Sequence, residues 1–264
     1  MDPLPFLYEH APTEHAFFVH TVWLRIGHPA ARAPPHLTAF AATWKQHHTE
    51  GDIVHLHWTQ PAVDALLAEY PQYSGIVATL MHEVQRCDLV RLLILHRLGG
   101  LYADMDVECR ARILPRWRDA PKPILLVRSP LFCEVFTNCL MIARCSGHPF
   151  WLSVADEIVH SVCGFEDGSG LSRPVRHALC IPGARTFVRT MFISTLTGPG
   201  CVDRTISTDP QRWGAVVGVL SSKEGYWGAA VRHHEAAMWF PARVVHHVMA
   251  AAAAVALAAL LWHI

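Results

Sequence analysis

The sequence predicts an α/β fold. Three observations carry that expectation: short strand-like runs alternate with helix-like runs along the chain, the helix-like runs have recognisable starts and stops, and the composition is that of a chain with a real core. Of 264 residues, 52% are apolar and 17% charged, which puts the chain on the apolar side of ordinary globular usage and away from disorder. The length fits one sizeable domain, or one domain with a small appendage.

The elements follow in order. Phe17 to Trp23 reads as a buried strand, and Ile26 to Pro35, rich in Pro, Gly and Ala, as a loop. Leu37 to His47 reads as a helix and Asp52 to Trp58 as an alternating strand. Pro61 suits a helix start, with Val63, Leu66 and Leu67 on one face. One long helix is expected from about Ile76 to Leu98, because Leu80, Val84, Leu89, Leu92, Leu93 and Leu95 recur at helical spacing. Gly99-Gly100 ends it as a left-handed cap would. Leu101 to Asp104 follows as a short strand, with further strands at Pro123 to Val127, Cys139 to Ala143 and Ala215 to Leu220. Pro149 opens a helix through Trp151, Val154, Ile158 and Val159.

Charge and cysteine usage exclude some function classes. Lys+Arg 22 balances Asp+Glu 22, so no basic excess is available to hold a phosphate backbone, and nucleic acid is not an expected partner. The 19 histidines are mostly scattered, as surface and satisfied core histidines are. None of the 8 cysteines has Cys-x-x-Cys spacing, which argues against a zinc ribbon or a thioredoxin-like site. The N-terminal residues lack a basic region followed by an apolar run, so a signal peptide is not expected there. From Val248 to Trp262 the chain holds only Val, Met, Ala, Leu and Trp. A main domain over 1–245 is therefore expected to be followed by a hydrophobic helix at 246–264, a candidate membrane anchor that is shorter than the ~20 residues of an ordinary span.

Chemistry concentrates between Cys87 and Glu108. Asp88 and Arg91 lie three apart on an expected helix and share a face, where a carboxylate can accept from sugar hydroxyls and a guanidinium can donate to phosphate oxygens. A solvated ion pair would look the same. Gly99 and Gly100 allow a tight turn and the close approach of a ligand to the backbone. Asp104 and Asp106, two apart on an extended segment, would point the same way and repel unless a cation lies between them. Hard divalent ions prefer such oxygen ligands, and a nucleotide diphosphate brings more of them.

Taken together, this block resembles the Asp-x-Asp sugar-binding region of glycosyltransferase family 32, which includes fungal initiating α-1,6-mannosyltransferases and the catalytic subunits of mannosyl-inositol-phosphoceramide synthases. The family pattern appears here as Cys87-Asp88, Arg91-Leu92, Gly99-Gly100, Leu101-Tyr102 and Asp104-Met105-Asp106, with Leu92 where the family has tyrosine. Weaker matches fall in family order at His20 to Trp23, Trp58, Asn138, Gly147 to Phe150, Thr197-Gly198-Pro199, and His234 with Trp239. Met238 stands where members often have serine.

The resemblance implies a GT-A-like nucleotide-sugar-binding fold and a metal-dependent, retaining transfer of a hexose, mannose favoured. The donor would be GDP-mannose or a UDP-sugar, and the acceptor a glycan or glycolipid hydroxyl. It implies Mn2+ or Mg2+ held by Asp104, Asp106 and His234. It assigns donor contacts to Asp88, Arg91, Trp23, Tyr102, Asn138, Gly99 and Gly100. A membrane-associated enzyme of the Golgi or ER is the expected setting. A degenerate, membrane-tethered nucleotide-sugar-binding or regulatory subunit is the competing reading, against which the intact Asp88, Arg91, Asp104 and Asp106 argue. A HAD-type phosphatase fits poorly, since it needs a later Lys and a second acidic pair, and Asp-Asp does not occur.

Overall fold

The computed structural model describes residues 16–25, 28, 32–80, 83–128, 136–166, 197–226 and 228–234. The expected domain end at 245, the hydrophobic helix at 246–264 and Trp239 lie outside them. Among the described residues no helix is long and apolar enough to cross a membrane.

The order of elements is β1 (Phe17–Val22), α1 (Pro35–His47), β2 (Ile53–Trp58), α2 (Gln60–Ala68), α3 (Pro71–Thr79), α4 (Glu83–Leu98), β3 (Gly100–Ala103), β4 (Val107–Cys109), α5 (Leu114–Arg118), β5 (Ile124–Arg128), β6 (Phe136–Ala143), α6 (Pro149–Glu166), α7 (Pro199–Thr208), α8 (Pro210–Val216), β7 (Val217–Leu220), α9 (Ser222–Gly225) and β8 (Val231–His233). Six strands form one mixed sheet in the order β2-β1-β3-β6-β5-β7, and β4 pairs with β8 in a separate ribbon. β1 runs parallel to both β2 and β3, whereas β6 is antiparallel to β3 and β5.

Side-chain alternation along β3 divides the core in two. Tyr102 packs with Trp58, Leu93, Ile94, Phe150 and Trp151, on the side of α4 and α6. Leu101 and Ala103 pack with Trp44, Val107 and Trp117, on the side of α1 and the ribbon. Burying a side chain of this size removes it from water at about 1.5–3 kcal/mol each, so the sheet is pinned from both faces.

The single long helix expected over Ile76 to Leu98 is two helices. α3 ends at Leu80, whose backbone is extended at φ −70 and ψ 120. Arg86 Nε donates to the Leu80 carbonyl at 3.1 Å, satisfying a helix-end acceptor that the broken ladder leaves over. The reason lies in packing. α3 buries only Tyr73 and Val77, whereas α4 is buried without interruption from Asp88 to Leu95, and a straight rod cannot follow both paths. Apolar periodicity is continuous across the break, so the sequence does not announce it. The late strand is also shorter than expected: α8 takes up residues as far as Val216, leaving Val217–Leu220 as β7.

Candidate functional site

The parallel strands β1 and β3 end at the same edge of the sheet, and the chain beyond β3 supplies the site. Asp104 N–H donates to the Cys139 carbonyl at 2.8 Å, and Val107 N–H donates back to the Asp104 carbonyl at 3.0 Å. The segment Asp104 to Val107 is thus a closed turn rather than the extended backbone the two-residue spacing suggests. It still brings the carboxylates together, because both ends of the turn are pinned, one to β6 and the other to the ribbon.

The ribbon adds a third group. Val107 stands opposite His233, and Glu108 opposite Arg232. His233 Nε2 lies 3.3 Å from Asp106 Oδ1, with its ring stacked on Tyr226 at 4.5 Å between centroids. Ligand atoms of Asp104, Asp106 and His233 all lie within 4.8 Å of one another. Donors about 2.1 Å from one octahedral ion sit roughly 3–4 Å apart, and mixed carboxylate and imidazole donors suit Mn2+, so this set fits a divalent cation.

The histidine the sequence suggested, His234, is turned elsewhere. Its Nε2 meets Glu108 Oε2 at 2.9 Å and its ring stacks on Phe40 at 3.9 Å. His233 is the last residue of β8 and His234 lies just beyond it, and their side chains take different partners. In the ribbon His233 stands opposite Val107, and the His234 N–H donates to the Asp106 carbonyl at 2.9 Å, so Asp106 meets the backbone of His234 and the side chain of His233. Burial works to raise the Glu108 carboxyl, but His234 and Arg110 outweigh it and hold it below its ordinary value.

Behind Asp104 lies a buried polar network. Tyr102 Oη donates to Asp104 Oδ1 at 2.6 Å, and Arg91 Nη1 stands 3.2 Å from the same oxygen and 3.4 Å from Oδ2. The guanidinium lies over the Tyr102 ring at 4.7 Å. Burial raises the Asp104 carboxyl above its ordinary value and Arg91 opposes the rise, while Asp106 adds to it. Arg91 and Asp88 are each 3% exposed. Asp88 accepts from Asn138 Nδ2 at 2.7 Å and Thr197 Oγ1 at 2.9 Å, and pairs with Arg91 Nη2 at 3.2 Å. Its carboxyl is raised to about 6, chiefly by burial and against the pull of Arg91.

The donor contacts implied by resemblance therefore divide. Asp88, Arg91, Tyr102 and Asn138 Nδ2 bond to one another, to Thr197, to the Cys87 carbonyl and to Asp104. Gly99 and Gly100, at φ +68 and φ +89, lie against protein backbone: a Cβ on Gly100 would come 2.3 Å from the Phe18 carbonyl oxygen. At Gly100 the permissive geometry allows the α4–β3 turn to approach β1 closely, and Gly99 lies against the chain beyond β6, so this junction packs on protein backbone. His20, fully buried, reinforces this junction, with Nε2 2.8 Å from the Gly99 carbonyl and Nδ1 accepting from Trp58 Nε1 at 3.2 Å. Trp23 lies half-buried just beyond β1, its N–H donating to the Trp58 carbonyl at 3.1 Å. On the α1 side of Met105 a cavity of about 220 Å³ is lined by Thr21, Thr38, Lys45 and His57 among others. Sequence reading missed His233, Thr197 as an individual residue, and this cavity. The signal for His233 was its place beside His234.

A family model described as a glycosyltransferase sugar-binding region containing the DXD motif matches residues 34–123. Inositol phosphoceramide mannosyltransferase 3 of Schizosaccharomyces pombe is 28% identical over 109 residues, which are 39% of this chain and 28% of that protein. Mannosyl phosphorylinositol ceramide synthase CSH1 of Saccharomyces cerevisiae is 26% identical over 114 residues, 41% of this chain and 28% of that protein. The matched stretch spans little more than a quarter of either relative. Among solved structures, the ligand-free glycosyltransferase domain from the YGT toxin superposes with a TM-score of 0.52 at 9% identity, covering 81% of this chain and 82% of that one. At that identity the likeness concerns the fold. The chain carries a glycosyltransferase sugar-binding region with its Asp-x-Asp motif on a GT-A-like fold.

Proposed function

We propose that this glycosyltransferase is metal-dependent and moves a hexose, mannose by preference, from a nucleotide-sugar donor to a hydroxyl of a glycan or glycolipid, with retention at the anomeric carbon. The observation that carries the reading is the gathering of Asp104, Asp106 and His233 at the end of β3. Preference for mannose and for a glycolipid acceptor rests on what the fungal relatives are named for. Attachment to a membrane through residues 246–264 belongs to the same proposal.

The residues divide the work. Asp106 and His233 would hold Mn2+ or Mg2+, with Asp104 beside them. When bound, such an ion neutralises the charge that develops on a departing nucleoside diphosphate. Arg91 and Tyr102 fix the Asp104 carboxylate in one orientation, so that no reorganisation is needed as that charge develops. Trp23 offers an aromatic face to the donor base. Neither aspartate moves a proton. In a retaining course the acceptor hydroxyl attacks the face from which the diphosphate leaves. The C–O bond to the diphosphate breaks, the new glycosidic bond forms, and the hydroxyl proton passes to the departing phosphate oxygen.

The test uses the full chain with GDP-mannose, UDP-glucose, UDP-galactose and UDP-N-acetylglucosamine, each with Mn2+ and with EDTA. One donor is expected to be cleaved in a metal-dependent way. Asp106→Ala is expected to lower that cleavage by about 10²–10³-fold, on the scale of removing a group that stabilises a leaving anion. Cleavage of no donor, together with no binding of either nucleotide diphosphate, overturns the proposal.

A further inference from the structure

The buried network behind Asp104 extends further than the motif needs for its own packing. It continues through Arg91 to Asp88 and on to Thr197, which is 1% exposed and opens the Thr197-Gly198-Pro199 entry to α7. α7 is also docked on β6, where Phe136 N–H donates to Asp203 Oδ1 at 3.2 Å. The chain of contacts therefore runs from a helix packed on β6 to the carboxylate beside the cation site.

We infer that Thr197 is a positioning residue for the motif, acting on Asp104 through Asp88 and Arg91. The argument starts from the cost of a carboxylate in a hydrocarbon environment. Asp88 sits beside Leu89 and Leu92, each at most 2% exposed, where a charge is tolerated only if its oxygens are fully engaged. Oδ1 is engaged by Asn138 and Arg91, and Oδ2 by the Thr197 hydroxyl.

Arg91 is a rigid planar fork whose prongs cannot be re-aimed one at a time. It gives Nη2 to Asp88, and Nη1 to both the Asn138 carbonyl at 2.7 Å and Asp104. Removing the Thr197 hydroxyl leaves Asp88 Oδ2 short of a donor. The fork then swings towards Asp88, and Asp104 loses part of its anchor. Thr197 touches neither the cation site nor the donor in this account; its effect is transmitted through a contiguous set of hydrogen bonds.

Two measurements on the full chain test this. The first is Mn2+ affinity, read by electron paramagnetic resonance, for the wild type, Thr197→Ser and Thr197→Val. Thr197→Val is expected to weaken Mn2+ binding about three- to tenfold, at or below the low end of the loss seen when an outer-shell partner is removed, and Thr197→Ser to stay within about twofold. The second is a double-mutant cycle of Thr197→Val with Asp104→Asn, read as urea midpoints. The double variant is expected to shift by less than the sum of the single shifts, because both substitutions release the same network.

Equal Mn2+ affinity for Thr197→Val and the wild type overturns the inference, and so do additive midpoints. The metal readout rests on the function proposed above, whereas the cycle does not. A wild type that binds no Mn2+ would sink that function and leave the cycle to decide the role of Thr197. Should Thr197→Val not fold, Thr197→Ala takes its place in both measurements.

Discussion

The two aspartates of the motif sit two residues apart, yet they are supported by different parts of the molecule. Asp104 closes the end of a central strand and leans on a buried polar network: Tyr102, Arg91, Asp88, Asn138 and Thr197. Asp106 lies in the turn beyond, tied to a two-stranded ribbon outside the main sheet, with His233 as neighbour. One carboxylate is held by charge pairing to a network that runs back into the core. The other is held by backbone pairing to the ribbon, with the His233 ring beside it. A motif written as one unit in sequence is thus built from a fixed half and an open half. The fixed half sets where the charge sits, and the open half completes the coordination.

If the division is real, damage to the fixed half should appear first as lost stability. Arg91→Ala strands two carboxylates, one of them fully inside the core, and should cost about 3–5 kcal/mol, the scale of breaking a buried ion pair from one side. Urea denaturation measures it. A loss below about 1 kcal/mol, the scale of an exposed pair, would show that the network is solvated and the comparison mistaken.

The junction beneath the fixed half predicts a pH dependence. Burial lowers the His20 pKa from 6.5 to about 4, against the raising effect of the Gly99 carbonyl. The unfolded chain therefore binds a proton there at a higher pH than the folded chain does. The stability His20 contributes is complete above pH 6.5 and is lost as pH falls towards 4, by roughly 3 kcal/mol for a shift of this size. His20→Gln should flatten that part of the stability profile. A variant whose profile between pH 4 and 6.5 matches the wild type would show that His20 is already charged, or already solvated, in the folded protein.

The open half should respond in binding and little in stability. His233→Ala is expected to weaken Mn2+ affinity about tenfold, while His234→Ala, whose ring is engaged by Glu108 and Phe40, should leave it within about twofold. Titration of the two variants by electron paramagnetic resonance separates them. The reverse order would mean that His234, not His233, completes the set around Asp104 and Asp106.

Much of this was legible before any coordinates. The buried-strand run from Phe17, the capping glycines at Gly99 and Gly100 and the proline at Pro149 are local signals, and each marks an element that is present. The motif was legible as well, because Asp104-Met105-Asp106 after a helix, two glycines and a strand is a rare conjunction, and the match over residues 34–123 covers it. The break at Leu80 was not legible, because apolar spacing runs unbroken through it and only the competing paths of α3 and α4 against the core decide it. Asp88 and Arg91 were legible as a pair on one helix face, but their destination was not. Helical spacing fixes that they are neighbours and says nothing about whether their face meets water, a ligand or Asn138.

What the sequence by itself determined are quantities that depend on neighbours along the chain: the α/β order, the glycine turn and the two carboxylates in adjacent reach. Tertiary structure alone decided what depends on distant partners. It brought the side chain of His233, and not that of His234, to Asp106 across the ribbon. It turned Asp88 into a buried support by bringing Thr197 and Asn138 to it across separations of 109 and 50 residues. The physical reason is the same in both cases. A side chain's direction follows from its local backbone, but its protonation, its pairing and its use follow from whatever the rest of the fold packs against it.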